Sequence, residues 1–193
     1  MIASLQGTLE SLGTDWAIIN VNGVGFQVYM PTSALSTLGA VGEEVKVHTH
    51  LHVKDDGVAL YGFGSADELV LFQMLLGVSG LGPRLALAML SAMSVDQLSM
   101  ALATGSTDLL RTIPGIGRKM ADRLILELRE KIGAGWIVTP AVQLAQENSD
   151  VLSALISLGY SLTEASRAVT TLPTASELTL EEKIKLALQY FGG

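Results

Sequence analysis

The chain contains no cysteine. That removes disulfide cross-links, thiol nucleophiles and any Cys-ligated zinc or iron–sulfur centre, and it suits a reducing cytosol. Cations are scarce: 12 Lys and Arg against 19 Asp and Glu leave a net charge of −7 over 193 residues. On totals alone such a balance argues against a nucleic-acid partner. Long apolar runs are also missing. The longest stretch without a charge, Trp16 to Gly42, is interrupted by Asn20, Asn22, Pro31 and several glycines, which excludes a membrane span. The start, MIASLQGTLE, has no basic segment followed by an apolar run. A secretory signal is therefore not expected there, and a cytoplasmic location is.

The distribution of charge says more than its sum. Residues 1–64 carry two basic and six acidic residues, 65–140 seven of each, and 141–193 three and six. Seven of the twelve cations thus sit in the middle segment, and an anion-binding surface is sought there.

Residues 1–63 read as β. Ala17–Val21 leads into the turn candidate Asn22-Gly23, and Gly25–Met30 stops at Pro31. From Val45 to Lys54 the pattern alternates: Val45, Val47, Thr49, Leu51 and Val53 on one face, Lys46, His48, His50, His52 and Lys54 on the other. Asp55-Asp56-Gly57 is a turn signal, and Val58–Tyr61 returns as a strand. Several short strands in so short a span suit a small closed barrel, because closure removes exposed edges.

From Ser65 the period becomes helical. Ser65-Ala66-Asp67-Glu68, Ser94-Val95-Asp96-Gln97, Ser161-Leu162-Thr163-Glu164 and Thr179-Leu180-Glu181-Glu182 are four capping boxes, so the remainder is expected to be all-α. One helix is placed at about Arg118–Ile132, ending at Gly133-Ala134-Gly135. Weak periodicity marks 141–148 as a linker. Residues 149–193 fit three short helices, broken at Leu158-Gly159-Tyr160 and Pro173, with Leu152, Leu155, Ile156, Leu186 and Leu188 read as core.

A repeat organises the middle segment. Val78-Ser79-Gly80-Leu81-Gly82-Pro83-Arg84-Leu85-Ala86 aligns with Ile113-Pro114-Gly115-Ile116-Gly117-Arg118-Lys119-Met120-Ala121. Each copy follows a short helical stretch and opens a new helix. Two glycines allow a tight hairpin without side chains in the way. The helix start then presents N–H groups and the positive end of its dipole. Such a terminus holds a phosphate without reading a base. This is the helix-hairpin-helix pattern of sequence-independent DNA binding, here in two copies. The candidate phosphate-binding residues are Gly80, Leu81, Gly82 and Arg84 in the first, and Gly115, Ile116, Gly117, Arg118, Lys119 and Arg123 in and after the second. A Walker loop is absent. A dinucleotide fingerprint would need a third glycine at Leu85 or Met120, and neither motif follows a strand. No cofactor is expected.

Together, the Gly23-Val24-Gly25 turn, Lys54-Asp55-Asp56, Leu60-Tyr61-Gly62-Phe63, both hairpins, Leu158-Gly159-Tyr160 and Glu164-Ala165-Ser166-Arg167 resemble the RuvA family over essentially the whole chain. The resemblance implies an N-terminal five-stranded barrel of the oligonucleotide/oligosaccharide-binding type over 1–64, which also makes a homotetramer. It implies a tandem helix-hairpin-helix domain over 65–140, a flexible linker over 141–148, and a three-helix domain over 149–193 that contacts the RuvB ATPase. It further implies binding of four-way (Holliday) junction DNA, a larger complex with the RuvC resolvase, an octamer on DNA, and no catalytic residues of its own. Asp55 and Asp56 would form an acidic pin at the junction centre, repelling phosphates of any strand lying across it.

Lys46, His50 and Lys54 are the candidates for a junction-facing strand. Three His at alternate positions of one strand are poorly spaced for a tetrahedral metal site, so no metal is expected. With only Lys46 and Lys54 in the barrel, backbone amides and Arg84, Arg118, Lys119 and Arg123 must carry much of the attraction, and binding is expected to be salt-sensitive. Two other readings stand beside this one. A glycosylase or nuclease would need partners around Asp122. A scaffold would use the hairpins only for packing.

Overall fold

The computed structural model describes residues 1–54, 57–133, 148–172 and 178–191. Asp55 and Asp56, the linker residues 141–147 and the break at Pro173 lie outside them. Two compact units form. One holds Met1–Val95 and Arg111–Gly117; the other holds Asp96–Leu110 and the described residues from Arg118 onward.

The first unit begins with a closed barrel of β1 (Ser4–Leu12), β2 (Trp16–Val21), β3 (Val24–Tyr29), β4 (Glu44–Lys54) and β5 (Gly57–Phe63), in the order β1-β2-β3-β5-β4. β1 serves both sides: its first half pairs with β4 and its second with β2, with a register shift between Leu9 and Ser11. Closure comes from the parallel contact of Tyr29 with Tyr61. Leu5, Leu9, Ala17, Ile19, Val28, Val45, Val47 and Leu60 fill the interior. Thr49, also buried, donates its hydroxyl to the Ile2 carbonyl at 2.9 Å, so burial leaves it satisfied.

The alternation along β4 holds only while the strand is in the barrel. Val45 and Val47 are buried, but Val53 is 65% exposed, as is its cross-strand partner Val58 at 68%. The β4–β5 pair runs past the core. Its histidine face turns onto the next element. α2 (Ala66–Leu76) starts with a complete capping box of Ser65 and Glu68. Its Phe72 meets Phe63 at 4.7 Å, Tyr61 at 5.2 Å and the edge of His50 at 5.6 Å between centroids. His50 is therefore half-buried among aromatic rings rather than solvated.

A short helix, α1 (Thr32–Thr37), interrupts the segment read as wholly β. It places Ala34 in the barrel core and bonds to α3 (Pro83–Ala92): the Thr32 N–H donates to Ser91 Oγ at 3.0 Å, and the Ser33 hydroxyl to the Leu90 carbonyl at 3.1 Å. These bonds set the first hairpin's helix against the barrel.

The second unit contains α4 (Val95–Thr104), α5 (Thr107–Leu110) and α6 (Arg118–Gly133), the last matching its expected span to one residue. It also contains α7 (Ser149–Ser157), α8 (Leu162–Thr170) and α9 (Leu180–Gln189). Capping boxes open α8 and α9. The Ser161 and Thr179 hydrogen bonds hold the Glu164 and Glu182 carboxyls below their ordinary range. Leu152, Leu155, Ala165, Ala168 and Val169 form the core of these helices, with Leu188 packed against it. Ile156 and Leu186 do not belong to that core: both are exposed, with Leu158, Leu180 and Tyr190. Three short helices bury one stripe each, and apolar residues off the stripe stay outside. Among the described residues, no single helix is long and apolar enough to cross a membrane.

Burial, and then the charge of His52, lower the His50 pKa from its ordinary 6.5. A lowered histidine pKa means that the unfolded chain takes up a proton which the fold resists, so this contribution is complete above pH 6.5 and is lost as pH falls below it. Thermal melts at pH 7.5 and 5.5 are expected to show a smaller pH-dependent loss in His50→Phe than in the parent; equal losses would contradict the assignment.

Candidate nucleic-acid interface

The two repeats fold alike. In the first, the Leu81 N–H donates to the Val78 carbonyl at 3.1 Å; in the second, the Ile116 N–H donates to the Ile113 carbonyl at 3.0 Å. Gly80 and Gly115 take the left-handed conformation, φ +84° and +91°. Leu81 and Ile116 are buried, 6% and 5% exposed. These two, expected among the phosphate-binding residues, thus point their side chains inward, and their N–H groups already close the turn. They anchor the hairpin. The repeats also touch: a Cβ added at Gly115 would come 3.1 Å from Leu85 Cδ1.

The second glycine of each repeat has a different role. Gly82 has an extended backbone, φ −95° and ψ 169°, which any residue adopts. Among the described residues, and apart from its own chain neighbours, neither Gly82 nor Gly117 would bring an added Cβ within 4 Å of another heavy atom. Among the described residues nothing requires glycine at these two positions. Each immediately precedes a helix start, α3 at Pro83 and α6 at Arg118. A bare backbone there lets an outside group approach the first-turn N–H groups closely. Pro83 has no N–H, so the first site offers the amides of Gly82 and Arg84, while the second offers those of Gly117, Arg118 and Lys119. Arg84, Arg118, Lys119 and Arg123 are all exposed.

Lys54 joins the first site. It closes β4 opposite Gly57 and lines a cavity of about 460 Å³ together with His52, Tyr61, Gly82 and Arg84. The barrel end and the first hairpin therefore share one cationic recess. Lys46 is not part of it. It pairs with Gln6 near the start of β4, eight residues or ~26 Å of strand away from Lys54. His50 lies one step back on the same face as His52, their rings 6.1 Å apart, held by Phe72. Burial and Tyr29 raise the Tyr61 pKa, and the nearby Arg84 cation opposes them. Tyr61 was not among the expected site residues; only its place in Leu60-Tyr61-Gly62-Phe63 pointed to it.

Asp122, the one candidate for a nuclease reading, is exposed and 3.3 Å from the Thr107 hydroxyl. Among the described residues no group of three His, Asp or Glu side chains is placed to hold a metal ion.

The glycine roles separate by substitution. Gly82→Ala with Gly117→Ala is expected to change folding stability by no more than ~0.5 kcal/mol and to weaken DNA binding about ten-fold or more, as charge-assisted hydrogen bonds to phosphate are lost. Gly80→Ala with Gly115→Ala is expected to destabilise the fold, by ~1 kcal/mol or more per site. Melting curves and binding isotherms check both. Unchanged affinity in the first pair would remove the phosphate role.

Comparison with known proteins covers the whole architecture. Residues 1–62 match the RuvA N terminal domain, 72–130 the SAM-like helix-hairpin-helix tandem, and 146–191 the RuvA C-terminal domain. The Holliday junction branch migration complex subunit RuvA of Dehalococcoides mccartyi is 50% identical, over 99% of this chain and 98% of its own. Those of Herpetosiphon aurantiacus and Chloroflexus aggregans are 45% and 44% identical over 100% of this chain, covering 100% and 99% of theirs. With three domains matched in order and half the residues shared end to end, the chain belongs to the RuvA family.

Proposed function

We propose that this protein is a non-catalytic subunit that binds four-way junction DNA by shape and engages the RuvB ATPase for branch migration in recombination and repair. The observation that carries the reading is the pair of bare glycines, Gly82 and Gly117, at two helix starts in repeated hairpins. Contacts of this kind fix the position of a duplex through its phosphates and carry no base information. Discrimination must then come from the geometry of several duplex arms. A tetramer matches four arms by symmetry. ATP chemistry belongs to the partner, since the sequence has no Walker loop.

The parts divide accordingly. Residues 1–64 assemble the tetramer and occupy the junction centre, 65–140 grip the arms, 141–148 tether, and 149–193 meet RuvB. Exposed Ile156, Leu158, Leu180, Leu186 and Tyr190 supply the apolar surface such a contact needs. Lys54 and Arg84, lining one recess, join the centre to the arms. Asp55 and Asp56, between β4 and β5 in sequence, act as the acidic pin. A second tetramer closing an octamer, association with the RuvC resolvase, and work in the cytoplasm complete the proposal.

The test is a competition gel shift of a synthetic four-way junction against linear duplex of the same arm sequences, at two salt concentrations. Junction preference is expected to persist at the higher salt while overall affinity falls. In the same assay Asp55→Asn with Asp56→Asn is expected to keep junction affinity and to bind linear duplex more tightly. Equal, salt-labile binding to both DNAs by the parent would reduce it to a general phosphate binder.

A further inference from the structure

The recess holding Lys54 has a neighbour. A second cavity of about 460 Å³ lies between the barrel and α3, and Tyr61 and Arg84 line both. The two differ in chemistry. The first has Lys54, Arg84 and the bare backbone of Gly82, together with His52, whose Nε2 is buried without a hydrogen-bond partner among the described residues. Among the described residues, everything charged in it is positive. The second has Tyr29, Leu87 and Ala88 as apolar wall, and Asp15 lines it opposite in charge to Arg84. Tyr29 and Tyr61 stand 5.9 Å apart between ring centroids. A carboxylate excludes a phosphate and accepts from the amino or imino edge of a base; aromatic and aliphatic walls take a base's faces.

We propose that the two cavities together take a single nucleotide of DNA that has left its stack. Its phosphate sits in the recess of Lys54 and His52, its base in the cavity of Tyr29 and Asp15, and Arg84 lies between them. His52 Nε2, without a hydrogen-bond partner among the described residues, gains a phosphate oxygen as acceptor on turning toward the recess. A base within an intact duplex is stacked on both faces and cannot enter a concave site, so the occupant is an unpaired nucleotide. This rests on the junction reading given above, because the crossover is where pairing is exchanged. It adds to phosphate gripping a means of holding the exchanging strand open.

Abasic substitution tests it. Junctions are prepared with and without bases at the nucleotides flanking the crossover, and their affinities are measured for the parent and for Ala88→Leu, which fills the second cavity with a good helix former. Removing a base also eases opening of the junction for any protein. The informative quantity is therefore the ratio of intact to abasic affinity, compared between the two proteins. The parent's ratio is expected to exceed that of Ala88→Leu about five-fold or more, the worth of one stacked base. Equal ratios would overturn the proposal. Should Ala88→Leu fail to assemble, Asp15→Ala carries the test without altering packing: a lower ratio supports the base site, and a parental ratio overturns it. If the parent shows no preference for junction over linear duplex, it is the junction reading that has failed. Junction preference with equal ratios sinks the nucleotide site alone.

Discussion

A phosphate can be held by a helix start only if nothing stands between it and the backbone amides. The proposed phosphate sites are built around that constraint. Gly82 and Gly117 leave the approach open. Leu81 and Ile116, buried beside them, stop the hairpin from collapsing onto its own opening. The left-handed Gly80 and Gly115 form the turn that leads into the buried side chain and the bare glycine. On the proposed reading, a chain with a net charge of −7 binds a polyanion because the attracting groups are local: fixed N–H dipoles, with a few arginines and lysines beside them. The acidic excess of residues 1–64 and 141–193 discourages contacts elsewhere.

Phosphate sites alone would bind any duplex. What adds shape is a fixed relation between the hairpin and the barrel. It is built from small interactions: the Thr32 and Ser33 bonds to α3, and Phe72 of α2 set among Tyr61, Phe63 and His50. Their product is a recess that holds Lys54 from one element and Arg84 from another. Rotating either element would separate the two cations. Packing far from the DNA surface is in this sense part of recognition.

Much of this was legible in the residues because the deciding interactions are local. A capping box closes within four residues, and Ser65, Ser161 and Thr179 all form one. The hairpin turn closes between residues three apart, so two matching stretches fold alike. The alternation of β4 shows until Val53, where the barrel ends and solvent replaces the core. β1, within the span read as β, does not stand out as a separate strand because Gly7 and Ser11, not large apolar residues, share the inner face with Leu5 and Leu9. α1 was hidden because six residues carry no helical period, and its bonds are to a helix some fifty-eight positions on. Tyr61, Asp15 and Arg84 meet only through tertiary packing, and no spacing in the sequence announces that.

In the proposed complex the amides at Gly82 and Gly117 face DNA phosphates. Residue-resolved amide hydrogen exchange, with and without saturating four-way junction, tests it most directly. Slowed exchange is expected at Gly82 and Gly117 together, with the already bonded amides of Leu81 and Ile116 little changed. Exchange at Gly82 and Gly117 that stays at its free rate in the saturated complex would contradict it.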